Sequence, residues 1–306
     1  MDTVHVLMST YNGEKYLAKQ IDSILSQKKI NVELYIRDDG STDSTKEVIN
    51  AYIKSDSRVH LYAGKNLGVK QSFLRLIQMA PSNAGYYALS DQDDYWMEEK
   101  LFEAVQKIKE NHQPGIPMLY YSHTTLVDEN LSALNKPNPY NKDKPYTFGQ
   151  IMIKNCASGC TMVFNKKLKE YLCQQDVSQL LPNPLHDHWI YMVCRAIGGD
   201  IVFDDRSYIL YRQHSGNNVG AKRNLYEKIR TSPLFRGGNI RYFWAKQLYE
   251  QNRKNITKDN CHLLYKIINY QKSFRNTLML AFDNEIKPPE TIEKIIVALT
   301  ILRRGF

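Results

Sequence analysis

Two aspartates, Asp91 and Asp93, stand one residue apart in the run Ser-Asp-Gln-Asp-Asp, directly after the apolar run Tyr86–Leu89. Carboxylates in this spacing can present oxygen ligands to a hard cation. Mg²⁺ or Mn²⁺ is usually bound by one or two carboxylates together with substrate phosphates. An acidic turn that caps the next helix would have the same sequence, since aspartate also favours helix N-termini. The position directly after a strand favours the metal-binding interpretation.

A second acidic turn, Asp38-Asp39-Gly40-Ser41, follows another apolar run, Val32–Ile36. Part of this turn is expected to cap the helix that follows it. A bound cation alone would not require four carboxylates in one neighbourhood. One of them is therefore available to accept a hydrogen bond from a neutral donor, such as the N–H of a pyrimidine.

Alternating strand and helix patterns position both acidic turns. Apolar runs predict four strands, at Val4–Met8, Val32–Ile36, Val59–Tyr62 and Tyr86–Leu89. Apolar residues at helical spacing predict an amphipathic helix after each of the first three strands. This order predicts an α/β fold with a mostly parallel sheet. Open sheets of this kind bind ligands at the carboxyl ends of their strands, where both acidic turns lie.

After residue 115 the pattern is looser. Further strands are predicted at Met118–Tyr121, Cys160–Phe164 and Ser207–Tyr211, and a helix is predicted at Leu185–Ile197. From Lys222 onward the chain has a helical, basic and aromatic character. We therefore predict an α/β domain over residues 1–221 and a helical basic extension over residues 222–306.

Composition and missing motifs exclude several classes of protein. The chain has 306 residues, 42% hydrophobic and 24% charged, which is typical of a globular protein. Its five cysteines show no CxxC pair and no zinc-ligand spacing, so they indicate reduced thiols. GxGxxG, GxxxxGK[ST] and GxSxG are absent, so dinucleotide, P-loop and serine-hydrolase sites are unsupported. The N-terminus has the pattern of a strand rather than a signal peptide.

Four segments in order resemble the family-2 glycosyltransferases of the GT-A fold. They are Ser9–Gly13, Asp38–Asp43, Asn66–Gly68 and Ser90–Asp94. The likeness is dense over residues 4–103 and returns at 155–219. The run Ser-Asp-Gln-Asp-Asp-Tyr-Trp and the later His186-Asp187-His188-Trp189 are similar to bacterial rhamnosyltransferases that build rhamnose-containing polysaccharides. The resemblance implies a Rossmann-like mixed sheet with flanking helices.

The resemblance also implies which residues contact the donor. Asp39 would accept a hydrogen bond from the N3–H of a pyrimidine, whereas Asp38 would have a structural role. Arg212 would be available to bind a phosphate. The full set expected to bind the nucleotide, the diphosphate and the sugar is Thr10, Tyr11, Asn12, Asp39, Asn66, Gly68, Lys70, Asp91 and Arg212.

A metal site and a catalytic base follow from the same resemblance. Asp93, helped by Asp91, would hold Mn²⁺ or Mg²⁺, and His214 would complete the site, with His186 as a competing candidate. A cation there would act as a Lewis acid on the diphosphate. Asp187 would take the proton from the attacking hydroxyl, although it could also merely cap its helix. The residues expected on the acceptor side are Gly159, His188 and Trp189.

The net charge of +9 is concentrated in residues 222–306, which hold 17 Lys/Arg and 7 Asp/Glu. One interpretation is a helical subdomain that packs on the α/β domain, or forms a homodimer, and shows its cations to solvent. Another is binding to an anionic membrane surface, and the two are compatible. Nucleic-acid binding is disfavoured because no recognised module and no single basic cluster is present.

Together these features predict a metal-dependent inverting glycosyltransferase at the cytoplasmic face of the plasma membrane. The resemblance implies dTDP-β-L-rhamnose as the donor and a lipid-linked saccharide as the acceptor, in the synthesis of a capsule or cell-wall polysaccharide. Galactosyl or glucosyl transfer from a UDP-hexose is the alternative. A sugar nucleotidyltransferase is less well supported, because residues Ser9–Gly13 lack the glycine-rich, arginine-bearing loop of such enzymes.

Overall fold

The computed structural model describes residues 1–111, 113–136, 138, 141, 144–176, 184–214, 239–288 and 291–306. The strands in these ranges are β1 (Thr3–Thr10), β2 (Asn31–Asp38), β3 (Val59–Ala63), β4 (Tyr86–Ser90), β5 (Tyr95–Trp96), β6 (Met118–Val127), β7 (Val163–Asn165) and β8 (Asp200–Arg212). The α-helices are α1 (Leu17–Leu25), α2 (Thr45–Ser55), α3 (Val69–Met79), α4 (Lys100–Glu110), α5 (Phe148–Ile151), α6 (Lys166–Cys173), α7 (His186–Ala196), α8 (Ile240–Asn252), α9 (Lys258–Asn269), α10 (Phe274–Ala281) and α11 (Thr291–Leu302).

All eight strands belong to one mixed sheet, in the order β3-β2-β1-β4-β7-β6-β8-β5. The first four strands pair in parallel, as the alternating pattern predicts. Strand β7 runs antiparallel to both β4 and β6, and β5 runs antiparallel to β8. The structure therefore confirms the predicted α/β fold with flanking helices and helices at the C-terminus.

Side chains of the central strands alternate between two buried layers, because successive strand residues point to opposite faces of the sheet. In β1, Val4, Val6 and Met8 pack in the layer that contains helices α1, α2 and α4. Leu7 packs in the opposite layer, which contains helices α3, α6 and α7. The parallel strands β1, β2 and β4 are largely buried on both faces, which accounts for their continuous apolar runs, whereas the edge strand β3 is only partly buried.

The prediction of a strand at Cys160–Phe164 is partly wrong. Residues Gly159–Thr161 form a short 3₁₀ turn, and β7 begins only at Val163. The turn is closed by backbone hydrogen bonds from Thr161 to Ser158 (3.1 Å) and from Met162 to Gly159 (2.9 Å). An apolar run alone does not distinguish such a buried turn from a strand, since both exclude water.

The C-terminal helices pack directly on the α/β part of the chain. Buried residues of α8 to α11 belong to the same apolar cluster as α3 and α7, and the ring of Trp244 lies 5.0 Å from that of His188. Lys154 forms a 2.5 Å ion pair with Glu293 of α11. The structure thus agrees with the packing interpretation of the basic extension. The domain boundary predicted at residue 221 lies outside the described residues. No helix among the described residues is long and apolar enough to span a membrane.

Gly149 of α5 marks the tightest contact between the two parts. A Cβ atom at this position would lie 1.9 Å from the backbone oxygen of Glu285, a distance that no packing allows. The side chain of Gln150 also donates to the backbone oxygen of Lys287 at 3.3 Å. A glycine is therefore required for α5 to approach the segment that joins α10 and α11.

We expect Gly149→Ala to lower the free energy of unfolding by about 1 to 3 kcal/mol, because an added methyl group must push packed backbone apart. The measurement is the urea midpoint of the purified variant. Gly85→Ala is the matched control, since a Cβ atom there would have no neighbour within 4 Å. Equal midpoints for the two variants would contradict the close docking at α5.

Candidate functional site

The acidic run after β4 is anchored to the end of β1 by Gln92. Its side-chain oxygen accepts hydrogen bonds from the Thr10 hydroxyl (2.6 Å) and from the Tyr11 amide (2.9 Å). Its side-chain nitrogen donates to the Tyr11 backbone oxygen at 3.3 Å. These bonds place Asp91 and Asp93 at the carboxyl edge of the sheet, beside the residues predicted to line the nucleotide pocket. No role was predicted for Gln92.

The structure brings Asp93 and His214 together, as predicted for a metal site. The Nε2 atom of His214 lies 2.8 Å from Oδ2 of Asp93. His214 follows β8, and β8 pairs with β5, which begins one residue after Asp94. His186, the competing candidate, instead stacks on Phe73 with ring centroids 4.0 Å apart. Burial lowers the pKa of His186 to about 3, so its imidazole is neutral.

A second group of potential metal ligands lies next to this pair. One side-chain atom from each of Asp91, Asp94 and Cys160 lies within 4.8 Å of the others. Burial, followed by the charges of Asp93 and Asp187, raises the pKa of Asp91 to about 7. Burial, followed by the charges of Asp93 and Asp91, raises the pKa of Asp94 well above its usual range. A divalent cation would favour the ionised forms of these carboxylates, because its charge opposes both their burial and their mutual repulsion.

The donor set of this group suits a hard cation. Carboxylate oxygens are the ligands that Mg²⁺ and Mn²⁺ prefer. Burial, followed by the nearby carboxylates, raises the pKa of the Cys160 thiol well above its usual range, so this soft ligand stays protonated. Asp94 was not among the predicted ligands, although it stands in the same acidic run. The residues present therefore fit a divalent cation held by the carboxylates.

Lys100 lies beneath the acidic run, fully buried, with its ammonium 3.6 Å from the centre of the Trp96 ring. Burial lowers the pKa of Lys100 to about 7, while nearby Cys160 and Asp94 oppose this shift. No role was predicted for Lys100, because a lysine at the start of an amphipathic helix is normally exposed. Its amine, which is mostly charged only below about pH 7, lies on the protein side of the carboxylates.

Arg212 was predicted to be available to a phosphate, and the structure does not agree with this prediction. Its side chain is buried, and its Nε donates to the backbone oxygen of Asp93 at 2.7 Å. The guanidinium also lies 4.6 Å from the ring of Tyr16 and contacts the backbone oxygen of Glu129. The Arg212 amide donates to the Asp94 carboxylate at 3.2 Å. Arg212 therefore supports the Asp93-Asp94 turn from inside the protein.

The ends of β1 and β2 are joined by hydrogen bonds of Asn12. Its amide donates to the Ser41 hydroxyl at 3.0 Å, and its side-chain oxygen accepts from the Thr42 amide at 2.9 Å. Asp38 is fully buried and accepts from the amides of Gly40 and Ser41. These contacts give Asp38 the structural role predicted for it and leave Tyr11 exposed at the edge of the crevice.

Asp39 connects the second acidic turn to the loop before α3. Its carboxylate accepts from the amides of Leu67 and Gly68, both at 2.8 Å, and forms a buried ion pair with Arg37. The guanidinium of Arg37 also donates to the Ser72 hydroxyl at 2.8 Å. The Gly68 amide is shared with the side-chain oxygen of Asn66 at 3.0 Å. The predicted donor-side loop, which continues to Lys70 in α3, is thus held against the nucleotide side. Arg37 was not predicted.

Asp187 lies in the first turn of α7 with its carboxylate fixed by two backbone amides. Gly159 donates to one oxygen at 3.2 Å and His188 donates to the other at 2.6 Å. Burial raises the pKa of Asp187 to about 6, whereas these hydrogen bonds oppose the shift. Gly159, which donates to Asp187, is followed by Cys160, whose sulfur lies within 4.8 Å of a carboxylate oxygen of Asp91. Asp187 therefore lies near the acidic run.

Gly159 allows the 3₁₀ turn to approach α7. A Cβ atom at Gly159 would lie 2.7 Å from Nε2 of His186 and 3.3 Å from Cβ of Asp187. The glycine was predicted to allow close approach on the acceptor side. In the structure the neighbour it approaches is the start of α7 itself.

His188 and Trp189 were predicted to lie on the acceptor side with Gly159. The structure instead places both side chains away from the side of α7 that Gly159 approaches. Nε2 of His188 lies 2.5 Å from the backbone oxygen of Ile151, and burial lowers the pKa of His188 to about 4. Trp189 is fully buried in the apolar core. Successive helical residues are rotated by about 100°. Residues that follow Asp187 therefore turn away from Gly159 and toward α5, α8 and the sheet.

Comparisons with known proteins identify the family of the chain. Residues 5–172 match the model of the family described as "Glycosyl transferase family 2". The chain is 26% identical, over 98% of its length, to the whole of the dTDP-rhamnosyl transferase RfbG of Shigella flexneri. It is 32% identical, over 35% of its length and 42% of the relative's, to the putative teichuronic acid biosynthesis glycosyltransferase TuaG of Bacillus subtilis.

Two solved structures show the same fold. S. aureus TarS 1–349 in complex with UDP aligns with a TM-score of 0.57 at 17% identity, covering 92% of this chain and 75% of that one. The mannosyltransferase PcManGT from Pyrobaculum calidifontis, in complex with GDP-Man and Mn²⁺, aligns with a TM-score of 0.51 at 14% identity, covering 90% and 71%. The family model covers more than half of the chain. The chain therefore belongs to glycosyl transferase family 2 and is a glycosyltransferase of the GT-A fold.

Proposed function

We propose that the protein is a metal-dependent inverting glycosyltransferase that transfers L-rhamnose from dTDP-β-L-rhamnose to a saccharide. The observation that carries this proposal is the placement of Asp187. Its carboxylate is held by two backbone amides, one of them from Gly159. The next residue, Cys160, has its sulfur within 4.8 Å of a carboxylate oxygen of Asp91 and of Asp94, so Asp187 lies close to the acidic run at the end of β4. Such an arrangement puts a proton acceptor next to a site for a charged leaving group. The similarity to a protein named as a dTDP-rhamnosyl transferase, over nearly the whole chain, supports the choice of donor.

The nucleotide would bind between the ends of β1 and β2, against Thr10, Tyr11 and Asn12. Asp39 would accept the N3–H of the pyrimidine. Each carboxylate oxygen can accept two hydrogen bonds. Among the described contacts, Oδ2 of Asp39 accepts only from Gly68. The diphosphate and the sugar would lie along the loop held by Asp39, near Asn66, Gly68 and Lys70.

Asp91, Asp93 and His214 would hold the divalent cation, with Asp94 beside them. When bound, Mn²⁺ or Mg²⁺ would neutralise the negative charge that grows on the departing nucleoside diphosphate. The Mn²⁺ in the complex of PcManGT, which has the same fold, supports a divalent cation in this role. The same cation would favour the ionised form of Asp91, whose pKa is raised by burial and then by nearby carboxylates.

Asp187 would act as the general base. Its carboxylate takes the proton of the acceptor hydroxyl while the oxygen forms a bond to the anomeric carbon and the bond from that carbon to the diphosphate breaks. Attack from the face opposite the leaving group turns the β-linked donor into an α-L-rhamnoside. The two amides, and the position in the first turn of α7, favour the ionised form that accepts the proton.

The acceptor would be a lipid-linked saccharide, handled at the cytoplasmic face of the plasma membrane. Its product would be a precursor of a capsule or cell-wall polysaccharide. The similarity to TuaG, named for teichuronic acid biosynthesis, supports this class of product.

A UDP-hexose is the alternative donor. TarS, which has the same fold, binds UDP and UDP-GlcNAc in its solved complexes. A pyrimidine contact at Asp39 would not separate UDP from dTDP, because both bases carry the same N3–H. The geometry does not favour a nucleotidyltransferase, because such an enzyme would need no base at Asp187.

We expect Asp187→Asn to lower kcat by at least about a hundredfold, since an amide cannot take the proton of the acceptor. Nucleotide binding should change little, because Asp187 lies outside the predicted nucleotide pocket. The measurements are initial transfer rates and the affinity for the nucleoside diphosphate by calorimetry. Undiminished turnover by the Asn variant would contradict the role of Asp187 as the general base.

Nucleotide binding should depend on the cation and on Asp93. In a thermal-shift assay, we expect nucleoside diphosphate with Mn²⁺ to raise the melting temperature, because a ligand that binds only the folded state stabilises it. The nucleotide without Mn²⁺ should have little effect. Asp93→Ala should lose the metal-dependent increase, whereas Asp43→Ala, an acidic turn residue outside the metal site, should keep it. A full shift in the Asp93 variant would contradict the proposed ligand.

The donor itself can be identified by comparing dTDP, UDP, GDP and CDP in the same assay, followed by turnover of dTDP-β-L-rhamnose and of UDP-hexoses. We expect the largest shift from dTDP and measurable transfer only from dTDP-β-L-rhamnose. A larger shift from UDP, with transfer from a UDP-hexose, would establish the alternative donor.

A further inference from the structure

The last helix of the chain presents an apolar stripe to solvent. Ile292, Ile295, Leu299 and Leu302 of α11 are between 38% and 74% exposed. Their spacing of three or four residues puts them on one side of the helix. Val297, Thr300 and Ile301 on the opposite side are buried. The helix is therefore apolar on both sides, although only one side is covered by the protein.

Helix α10, which packs beside α11, adds to this surface. Phe274, Met279 and Phe282 are between 54% and 69% exposed. Seven large apolar side chains exposed on and next to two packed helices exceed the singly scattered apolar residues of an ordinary surface, and such a concentration is typical of an interaction site. We name the exposed side chains Phe274, Met279, Phe282, Ile292, Ile295, Leu299 and Leu302 the α10–α11 surface.

The charges around the α10–α11 surface are mainly positive. Lys272, Arg275, Arg303 and Arg304 are exposed. Two of the nearby acidic side chains are engaged by lysines: Glu293 by Lys154 at 2.5 Å and Asp283 by Lys266 at 2.8 Å. Glu285 is the exposed carboxylate among the described residues of this segment. The segment thus combines exposed apolar side chains with an excess of cations.

We propose that the α10–α11 surface binds the surface of an anionic bilayer. Apolar side chains flanked by lysine and arginine match the acyl and headgroup layers of such a membrane. A second copy of the chain is a poorer match, because two identical basic surfaces would repel each other.

The α10–α11 surface is connected to the proposed active site through a short series of contacts. Helix α11 is joined to the α5 region by the Lys154–Glu293 ion pair. The end of α5 contacts α7 through the Ile151 oxygen and His188, next to Asp187. The α10–α11 surface is therefore linked, through the α5 region, to the helix that carries the proposed base. The link to catalysis rests on the proposed function, whereas the proposal that this surface binds a membrane does not.

The test is flotation of the full-length protein with vesicles of phosphatidylcholine alone or mixed with phosphatidylglycerol, at low and high salt, without nucleotide or acceptor. We expect binding to the anionic vesicles, only partly released by salt because the apolar side chains also insert. The double substitution I295Q/L299Q should weaken vesicle partitioning by about tenfold or more. Arg275→Glu combined with Arg303→Glu should remove the preference for phosphatidylglycerol.

Matched controls distinguish a specific loss of membrane binding from a loss of the folded structure. Ile53→Gln changes an exposed apolar residue of α2, and Lys54→Glu reverses an exposed charge beside it. Both should bind vesicles like the unmodified protein. I295Q/L299Q should keep the melting temperature and its transfer rate on a water-soluble acceptor, if transfer is observed. Failure of transfer with intact vesicle binding would count against the proposed function alone.

Three results would overturn the proposal. The first is recovery of the unmodified protein away from anionic vesicles at low salt. The second is unchanged vesicle binding by I295Q/L299Q. The third is a dimer in analytical ultracentrifugation that I295Q/L299Q dissociates without any vesicle binding, which would assign the α10–α11 surface to a second copy of the chain.

Discussion

The crowding of carboxylates at the end of β4 is the constraint around which the site is built. Asp91 and Asp93 are half-buried and Asp94 is buried, and burial, followed by the charges of neighbouring carboxylates, raises the pKa of Asp91 and of Asp94. Like charges in a buried place are stable only when the surrounding structure fixes them and a cation compensates them. Arg212 and His214 approach this run from the end of β8, and Lys100 lies beneath it. The distant β8 is therefore as much a part of the acidic site as β4.

The remaining contacts of the crevice connect this site to the nucleotide side. Gln92 binds the acidic run to the end of β1, and Asn12 binds β1 to β2. Asp39 then connects β2 to the Leu67-Gly68 loop. Each connection uses a side chain within two residues of the end of a parallel strand. A change at one strand end would consequently shift the neighbours along the whole edge of the sheet.

The first four strands could be predicted because each is a short apolar run that both layers of helices cover. The contact between Asp93 and His214 joins residues far apart in sequence, so it was expected only from the family resemblance. His188 and Trp189 were misplaced because the sequence around Asp187 does not specify the rotation of α7. That rotation is decided by packing against Ile151 and Trp244. Arg212 was misplaced for a similar reason, since burial of an arginine depends on backbone oxygens that no motif records.

The packing of Trp244 on His188 has a consequence for how this protein can be divided or recombined. The helix that carries Asp187 is covered on one side by α8, and both belong to one apolar cluster. Removal of the C-terminal helices would expose that side of α7 to water. A chimera that joined this α/β part to the tail of a relative would need matching residues at His188, Ile151 and Gly149. The C-terminal helices and the α/β part therefore have to change together in such a chimera. Substrate specificity is easier to transfer between relatives by exchanging loops than by exchanging whole segments.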